Sequence, residues 1–235
     1  MNIIDAVIIL FLLLGAVVGF KQGVLKKTVS FAGLLLIIIL SFSLKNYVSV
    51  LMYENLPFFN FWGLLTGLEI LNVILYELIA FLLVFSILFI IFKVVVAITG
   101  IVEKILKMTI ILAIPSKLLG MVVGFLEYYI IAFVVLFILT QPIFHISILN
   151  DSKYKDFILN NTPIVSSYAK KTLKTYKETW DIIKKHDNDN TVDINTSLLE
   201  VMLKNKIITV DSTEKLIKKD KLHIKNQDII LNKYK

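Results

Sequence analysis

The sequence predicts an all-α fold: a four-helix polytopic transmembrane bundle with a C-terminal extracytoplasmic helical domain. Apolar residues make up 57% of the 235-residue chain, and its mean hydropathy is +0.80. A soluble core of this size needs less apolar surface, so we expect the surplus to face lipid. Charge is also segregated, because residues 1–141 hold 8 lysines and 6 acidic residues whereas residues 142–235 hold 17 and 12. We therefore predict a transmembrane domain at 1–141 and a lysine-rich helical domain at 142–235.

Four apolar stretches are long enough to cross a membrane as helices, which takes roughly 20 residues for about 30 Å of hydrocarbon. The first has no lysine before it and no small-residue cleavage site, so we interpret it as a retained helix rather than a secretory signal. The four predicted spans are residues 3–20, 28–44, 72–98 and 118–139.

Lysines in the short links predict the orientation. The link at residues 21–27 and the link between the third and fourth spans hold three lysines each, which favours a cytoplasmic position for both. Four crossings of a bacterial cytoplasmic membrane then leave the N- and C-termini outside, since long domains translocate largely regardless of charge. The aromatic link at 45–71 is expected at the outer headgroup level, and residues 101–114 are expected to form an interfacial helix that ends at Pro115.

Five glycines repeat at a spacing of four residues near two of the predicted spans. Residues four apart lie on one face of a helix, and small side chains there let two backbones approach closely in lipid. Helix packing is the interpretation we favour, while a hinge or a glycine-lined cavity stays open. The glycines are Gly15, Gly19 and Gly23 in the first span and its inner end, and Gly120 and Gly124 in the fourth.

Glu127 interrupts the fourth span at a depth of ~14 Å from the inner boundary, at 1.5 Å per residue. An ionised carboxylate there costs on the order of 3 kcal/mol, so we expect it to be protonated, paired or facing water inside the bundle. A functional carboxylate and a neutral one hydrogen-bonded to Ser41 or Ser86 both stay open. Three more ionisable residues near span ends are expected to be snorkelling anchors rather than members of a relay: Asp5, Glu77 and Lys93.

The lysine-rich tail is predicted to be helical, with Thr162 as an N-cap and Pro163 in the first turn of a helix that stops before residues 186–193. Those residues resemble a calcium loop in their alternating acids, but they lack its central glycine and distal glutamate, so no metal site is predicted. The chain has no cysteine, and it carries no hydrolase, phosphate-binding or dinucleotide motif. We therefore expect no catalytic, cofactor-binding or metal-binding residues and no nucleic-acid partner.

Two segments resemble the colicin V production protein family over about the first 140 residues. The first runs from Asp5 through an apolar stretch to GxxxGFKQGVLKKTVSF, which ends just after the family's serine at Ser30. The second is PSKLLGMVVGFLEYY, residues 115–129, which is similar to the family's entry to its last helix. The sequence departs from many relatives in having Ser116 in place of an aspartate, and at Glu127, near which relatives have a basic residue followed by glycine.

The resemblance implies a four-span inner-membrane protein connected with colicin V or bacteriocin production or export and with envelope maintenance. Because no catalytic constellation is present, we expect a non-enzymatic scaffold or accessory factor. Its bundle would be anchored in the lipid bilayer, and its basic tail would meet an envelope protein or an anionic wall polymer. The alternative is a small oligomeric transporter or channel with Glu127 in the pathway. Homo-oligomeric assembly stays open in either case.

Overall fold

The structure is a computed structural model that describes residues 2–99, 113–144, 146–149, 151–185 and 190–234. Within these ranges the regular structure is helical and contains no strand, which confirms the predicted all-α class. Short 3-10 turns lie at Gly63–Leu65, Pro142–Phe144 and Ser147–Leu149. The α-helices, numbered in chain order, are α1 (Ile3–Gln22), α2 (Val24–Asn55), α3 (Leu71–Thr99), α4 (Ala113–Leu139), α5 (Lys153–Asn161), α6 (Val165–Lys185), α7 (Thr191–Lys204), α8 (Val210–Lys218) and α9 (Gln227–Tyr234).

The helices α1 to α4 are each long and apolar enough to cross a membrane, in agreement with the four predicted spans. The helix α2 has 32 residues and extends beyond both ends of the predicted second span, residues 28–44. At 1.5 Å per residue α2 is ~48 Å long and exceeds a hydrocarbon core of about 30 Å. It ends at Asn55, shortly before Pro57, whose ring disfavours helical backbone in the residue before it.

A single residue, Gly23, separates α1 from α2. The predicted link at residues 21–27 is therefore not a loop: Lys21 lies in the last turn of α1, and Lys26 and Lys27 lie in the first turns of α2. Its cytoplasmic position stays a prediction. Gly23 has a φ of 77°, a left-handed value that glycine adopts without strain. Its N–H donates to the carbonyl of Gly19 at 3.0 Å and its carbonyl accepts from the N–H of Lys27 at 3.3 Å, so Gly23 bonds to the end of α1 and to the start of α2.

Pro115 begins a helix rather than ending one, which corrects the prediction. It lies in the first turn of α4, where a proline removes no intrahelical hydrogen bond. Of the interfacial helix predicted at 101–114, residues 101–112 lie outside the described part of the chain.

The chain forms two compact units, and the first comprises residues 1–43, 82–140 and 146–168. In this unit α1 packs closely against α4, and α5 packs against both of them. Aromatic contacts fill the interior between α2 and α4: the ring of Phe42 meets the edge of Phe137 at 5.1 Å between centroids. Large apolar side chains such as Leu10 and Leu14 on α1 are exposed, as expected of a surface that faces lipid.

The second unit comprises residues 44–81, 141–145 and 169–235. Its core contains Leu198 and Met202 of α7, Leu216 of α8 and Ile74 of α3, all fully buried. Asn195 of α7 ties the helix to the segment before α3, since its side chain accepts from the N–H of Ile70 at 3.3 Å and donates to the carbonyl of Gly67 at 3.0 Å.

The C-terminal end of α2 is capped within the second unit by two lysines that follow α8. The Nζ of Lys221 donates to the carbonyls of Glu54 at 2.9 Å and Leu56 at 2.8 Å, and the Nζ of Lys219 donates to that of Glu54 at 2.9 Å. The last carbonyls of a helix have no intrahelical partner, and cations are favourable beside them.

The two units do not coincide with the predicted boundary at residue 141, because the end of α2 and the start of α3 cluster with the tail. The two units are defined by contacts within the protein and not by lipid. The division into residues 1–141 and 142–235 and the extracytoplasmic position of the tail therefore stay predictions.

The first tail helix starts later than predicted. Thr162 is the C-cap of α5 instead of an N-cap, and α6 begins at Val165, after Pro163. Ile164 between them has a φ of 67°, an unusual value for a β-branched residue. The described part of α6 ends at Lys185, and α7 begins at Thr191. Of the break predicted at residues 186–193, residues 186–189 lie outside the described part of the chain, and residues 191–193 are helical, which corrects the prediction.

Candidate functional site

The five predicted packing glycines come together where α1 and α4 run antiparallel. A Cβ atom added at Gly15 would lie 2.7 Å from the carbonyl oxygen of Gly124, and one at Gly19 would lie 2.9 Å from the Cα of Gly124. One at Gly120 would lie 2.7 Å from the carbonyl carbon of Gly23. Backbone atoms cannot rotate away, so only glycine permits this approach.

The close approach of α1 and α4 forms a slot for the ring of Tyr128. The Cβ and Cγ atoms of Tyr128 occupy the space that a side chain at Gly15 would need. The ring also lies 4.9 Å from that of Phe11, measured between centroids. The glycines thus fix the position of the residue that follows Glu127.

Glu127 is bound by two side chains from the first turns of α2. One carboxylate oxygen accepts from the ammonium of Lys27, and the other accepts from the hydroxyl of Ser30 at 2.6 Å. Lys27 is 4% exposed and Glu127 7% exposed. Lys27 and Ser30 are three residues apart, so they lie on one face of α2 and reach the carboxylate together. We call Lys27, Ser30 and Glu127 the inner charge cluster.

The inner charge cluster neutralises two charges that are both buried in the protein. A single buried ion carries a penalty of several kcal/mol, which a close counter-ion and additional hydrogen bonds offset. The Nζ of Lys27 also lies 5.6 Å from the centroid of the Tyr128 ring, an added electrostatic attraction. Of the two serines proposed as partners of Glu127, Ser41 bonds instead to the carbonyl of Ile37 in its own helix, at 2.7 Å.

A second cluster of the same composition lies in the second unit. Glu77 of α3 accepts from the ammonium of Lys45 and, at 2.5 Å, from the hydroxyl of Ser49, both on α2. Glu77 is 3% exposed, so the prediction that it snorkels to water is wrong. The reason is that α2 continues through Lys45, which the sequence analysis placed in a link.

Asp5 is also buried and does not snorkel, contrary to the prediction. Its carboxylate accepts from the hydroxyl of Ser152 at 2.6 Å, from the N–H of Tyr154 at 3.3 Å and from the N–H of Asn2 at 3.2 Å. The side chain of Asn2 donates to the carbonyl of Ile148 at 2.7 Å. The start of α1 is therefore fastened to the segment that leads into α5.

Lys93 is exposed on α3, with its Nζ 5.1 Å from the centroid of the Phe89 ring. Its anchoring role stays a prediction. Among the residues that the structure describes, no three histidine, aspartate or glutamate side chains are grouped so that they would hold a metal ion.

Comparison with protein families gives a match that covers most of the chain. The family described as Colicin V production protein matches residues 4–163. The chain belongs to the colicin V production protein family. It is accordingly a multi-pass membrane protein with a general connection to colicin V production. The comparisons with curated proteins and with solved structures give no match.

The family match extends further than the resemblance predicted from the sequence, which stopped near residue 140. It includes α5 and Ser152, the residue that binds Asp5, as well as the inner charge cluster. The features described in the first unit therefore lie within the family region.

Sequence reasoning found Glu127 but missed Lys27 and Ser30 as its partners. A usable signal was present, since a lysine followed by a serine three or four residues later occurs at Lys27 and again at Lys45. Such a pair presents an ammonium and a hydroxyl on one helix face, a suitable partner for a buried carboxylate.

Proposed function

We propose that this member of the colicin V production protein family is a non-enzymatic membrane accessory factor for bacteriocin production or export and for envelope maintenance. The observation that carries the proposal is the inner charge cluster, in which the carboxylate of Glu127 is neutralised by Lys27 and hydrogen-bonded by Ser30 of the same unit. A scaffold needs its membrane helices fixed relative to one another, and a buried pair between α2 and α4 serves that need.

A transport pathway makes a different demand on a carboxylate. A group that binds a permeant ion or proton must exchange its partner for that species and for water. Both oxygens of Glu127 are engaged by side chains of the protein, and the glycine packing beside it is close. These contacts support an assembly role over the alternative of a transporter or channel.

The charge distribution of the first unit supports a bacterial cytoplasmic membrane orientation with both termini outside. The start of α1 and the segment after α4 lie together through Asp5 and Ser152. The opposite ends of α1 and α4 also lie together, since the Nζ of Lys117 is 5.9 Å from the ring of Phe20. Lys21 and Lys117 are exposed at that end, and lysines beside spans favour the cytoplasm.

Cysteine labelling tests this orientation directly, because the chain has no native cysteine. We expect a membrane-impermeant maleimide applied to intact cells to label Lys184→Cys but not Lys26→Cys. Permeabilised cells serve as the control, because both variants should then react. If only Lys26→Cys reacted in intact cells, the chain would have the opposite orientation to the one proposed.

The assembly role is tested with the double variant Lys27→Met with Glu127→Gln in the full chain. In a strain that lacks the protein, we expect the double variant to restore bacteriocin secretion and envelope integrity, because no unpaired buried charge is left. Glu127→Gln alone leaves the Lys27 ammonium uncompensated and should restore less. A double variant that accumulates normally but restores nothing would show that the carboxylate itself is required, as a transport pathway demands.

The tail offers a basic surface for the partner proposed here, an envelope protein or an anionic wall polymer. One side of α6 exposes lysines at Lys170, Lys171, Lys174 and Lys177. Because attraction between exposed charges is screened by salt, retention of the full-length protein on an anionic polymer should fall as salt rises. If retention did not change with salt, or stayed equal after these lysines were changed to glutamine, the proposed binding of the tail to an anionic partner would be refuted.

A further inference from the structure

The helix α5 and the turn after it expose an unusual number of large apolar side chains for a short charged segment. Ile158 and Leu159 face inward and are buried, as expected for a helix packed on α1 and α4. On the opposite side Tyr154 is 44% exposed and Phe157 57% exposed, and in the turn Ile164 is 57% exposed. Water is an unfavourable environment for all three side chains.

The exposed side of α5 is itself divided along its length. At 100° per residue, Tyr154 and Phe157 share one edge of this side, which also carries the exposed Asn161 in the last turn. The neighbouring edge is polar and carries Lys153, Asp156 and Asn160, all exposed. A helix that buries one face in protein and then presents an apolar edge beside a polar edge is suited to the boundary between lipid and water.

The position of α5 relative to α1 agrees with that boundary. The N-cap of α5 is Ser152, whose hydroxyl donates to Asp5 at 2.6 Å, and the N–H of Tyr154 donates to the same carboxylate at 3.3 Å. Asp5 lies in the first turn of α1, which is long and apolar enough to span a membrane. A helix fastened to the first turn of a span lies where the hydrocarbon meets the headgroups.

Ile164 gives a separate argument. Its φ of 67° strains a β-branched residue, and glycine or asparagine would fit this turn with less strain. If Ile164 faced water, its exposed apolar side chain would add to the backbone strain and not offset it. In lipid the exposed side chain gains a favourable environment.

We propose that α5 and the turn after it lie in the headgroup region of the bilayer, with Tyr154, Phe157 and Ile164 inserted at the edge of the hydrocarbon. Tyrosine is enriched at this level in membrane proteins, where its ring is apolar and its hydroxyl is hydrated. Lipid is the occupant we choose because the segment belongs to the same compact unit as the spans. The inference goes beyond the proposed accessory function and does not depend on it.

The experiment places an environment-sensitive NBD label on single cysteines in the full-length protein, reconstituted in vesicles of phosphatidylethanolamine and phosphatidylglycerol. The test positions are Phe157→Cys and Tyr154→Cys, and the matched control on the polar edge is Asn160→Cys. Two test positions are used so that one poorly folded variant does not decide the result. Elution as a single species in detergent selects the folded proteins.

We expect blue-shifted NBD emission at positions 154 and 157. Emission there should be quenched more by lipids with a nitroxide near the headgroup than by lipids with one at the chain end, since an interfacial helix reaches about 5–10 Å into the boundary. The label at position 160 should resemble one in water and be quenched by iodide. Equal iodide quenching at all three positions would overturn the proposal. Labels at 154 and 157 that are shielded from iodide but not quenched by nitroxide lipids would also overturn it, because protein would then cover the surface.

Discussion

Replacing Lys27 with methionine removes the cation beside Glu127 while keeping an unbranched side chain of similar length. The side chains of Lys27 and Glu127 are 5% and 9% exposed, so the scale for exposed pairs, about 0–1 kcal/mol, does not apply. Removing one partner of a buried pair typically costs about 3–5 kcal/mol, because the other charge is left uncompensated. We expect a loss of this size in the free energy of unfolding for Lys27→Met and a similar loss for Glu127→Gln.

Comparing the double variant with the two single variants measures the interaction between Lys27 and Glu127 separately from the other effects of each substitution. With both charges removed, the glutamine amide still accepts from Ser30, so the combined loss should be smaller than the sum of the single losses. We expect a coupling free energy of about 3 kcal/mol between positions 27 and 127, which corresponds to a factor of about 100 in the unfolding equilibrium.

The free energies are measured by titrating SDS into mixed micelles and following the helical circular dichroism of each variant. The matched control is Lys93→Met, since Lys93 is an exposed lysine of the same unit, and its loss should stay within about 0.5 kcal/mol. Single losses that add within about 0.5 kcal/mol in the double variant would mean that Lys27 and Glu127 do not interact. The inner charge cluster would then not hold α2 to α4.

Three further predictions concern packing, capping and pH. Gly19→Ala would place a Cβ against the carbonyl oxygen of Gly120 and 2.9 Å from the Cα of Gly124, and should cost about 1–3 kcal/mol in the SDS titration. The nearest atoms to a Cβ in Gly33→Ala belong to the ring of Phe92, which can rotate, so the loss should be smaller. Equal losses in the two variants would contradict the packing argument. Lys221→Met removes the lysine from the carbonyl of Leu56 and leaves that of Glu54 with Lys219 alone, which should cost about 1 kcal/mol in the unfolding free energy. An unchanged unfolding free energy would show that the Lys221 ammonium does not stabilise the end of α2. Hydrogen bonding to Glu69 raises the pKa of His223 above 6.5. The protonated imidazole therefore stabilises the folded protein below about pH 6.5, and this stabilisation is lost as pH rises through the folded pKa. His223→Gln should flatten the pH dependence of the unfolding free energy, and an unaltered profile would show that the His223–Glu69 pair does not contribute to it.

The existence of the four long helices was predictable because lipid requires long apolar helical segments, and such segments are visible in the sequence alone. Their ends were not, and α2 shows why. The prediction stopped at Leu44 because Lys45 and Ser49 are polar, yet both side chains are satisfied by Glu77 from another helix. Hydropathy treats each residue separately, whereas burial of a polar residue depends on a partner distant in sequence.

The partners of the buried Glu127 were not predictable for the same reason, because they are distant from it in sequence. Both carboxylate oxygens of Glu127 are engaged by side chains of the protein, and the glycines spaced four residues apart lie where α1 and α4 approach closely. The identity of the partner did not follow, because Lys27 is 100 residues away and lies in a lysine-rich stretch typical of a loop. In the structure the link is the single residue Gly23, with a positive φ, so Lys27 already lies in α2.

The distance along the chain between Lys27 and Glu127 also has a consequence for biosynthesis. At about 5–20 residues per second, a ribosome takes roughly 5–20 s to add the 100 residues that separate them. During that time the ammonium of Lys27 lacks the carboxylate of Glu127, and its flexible stem lets it stay hydrated. Synthesis of α4 then adds Glu127, whose carboxylate pairs with the ammonium of Lys27 and offsets the cost of its burial. A nascent chain that stops before Glu127 therefore keeps the ammonium of Lys27 without the carboxylate that neutralises it in the folded protein.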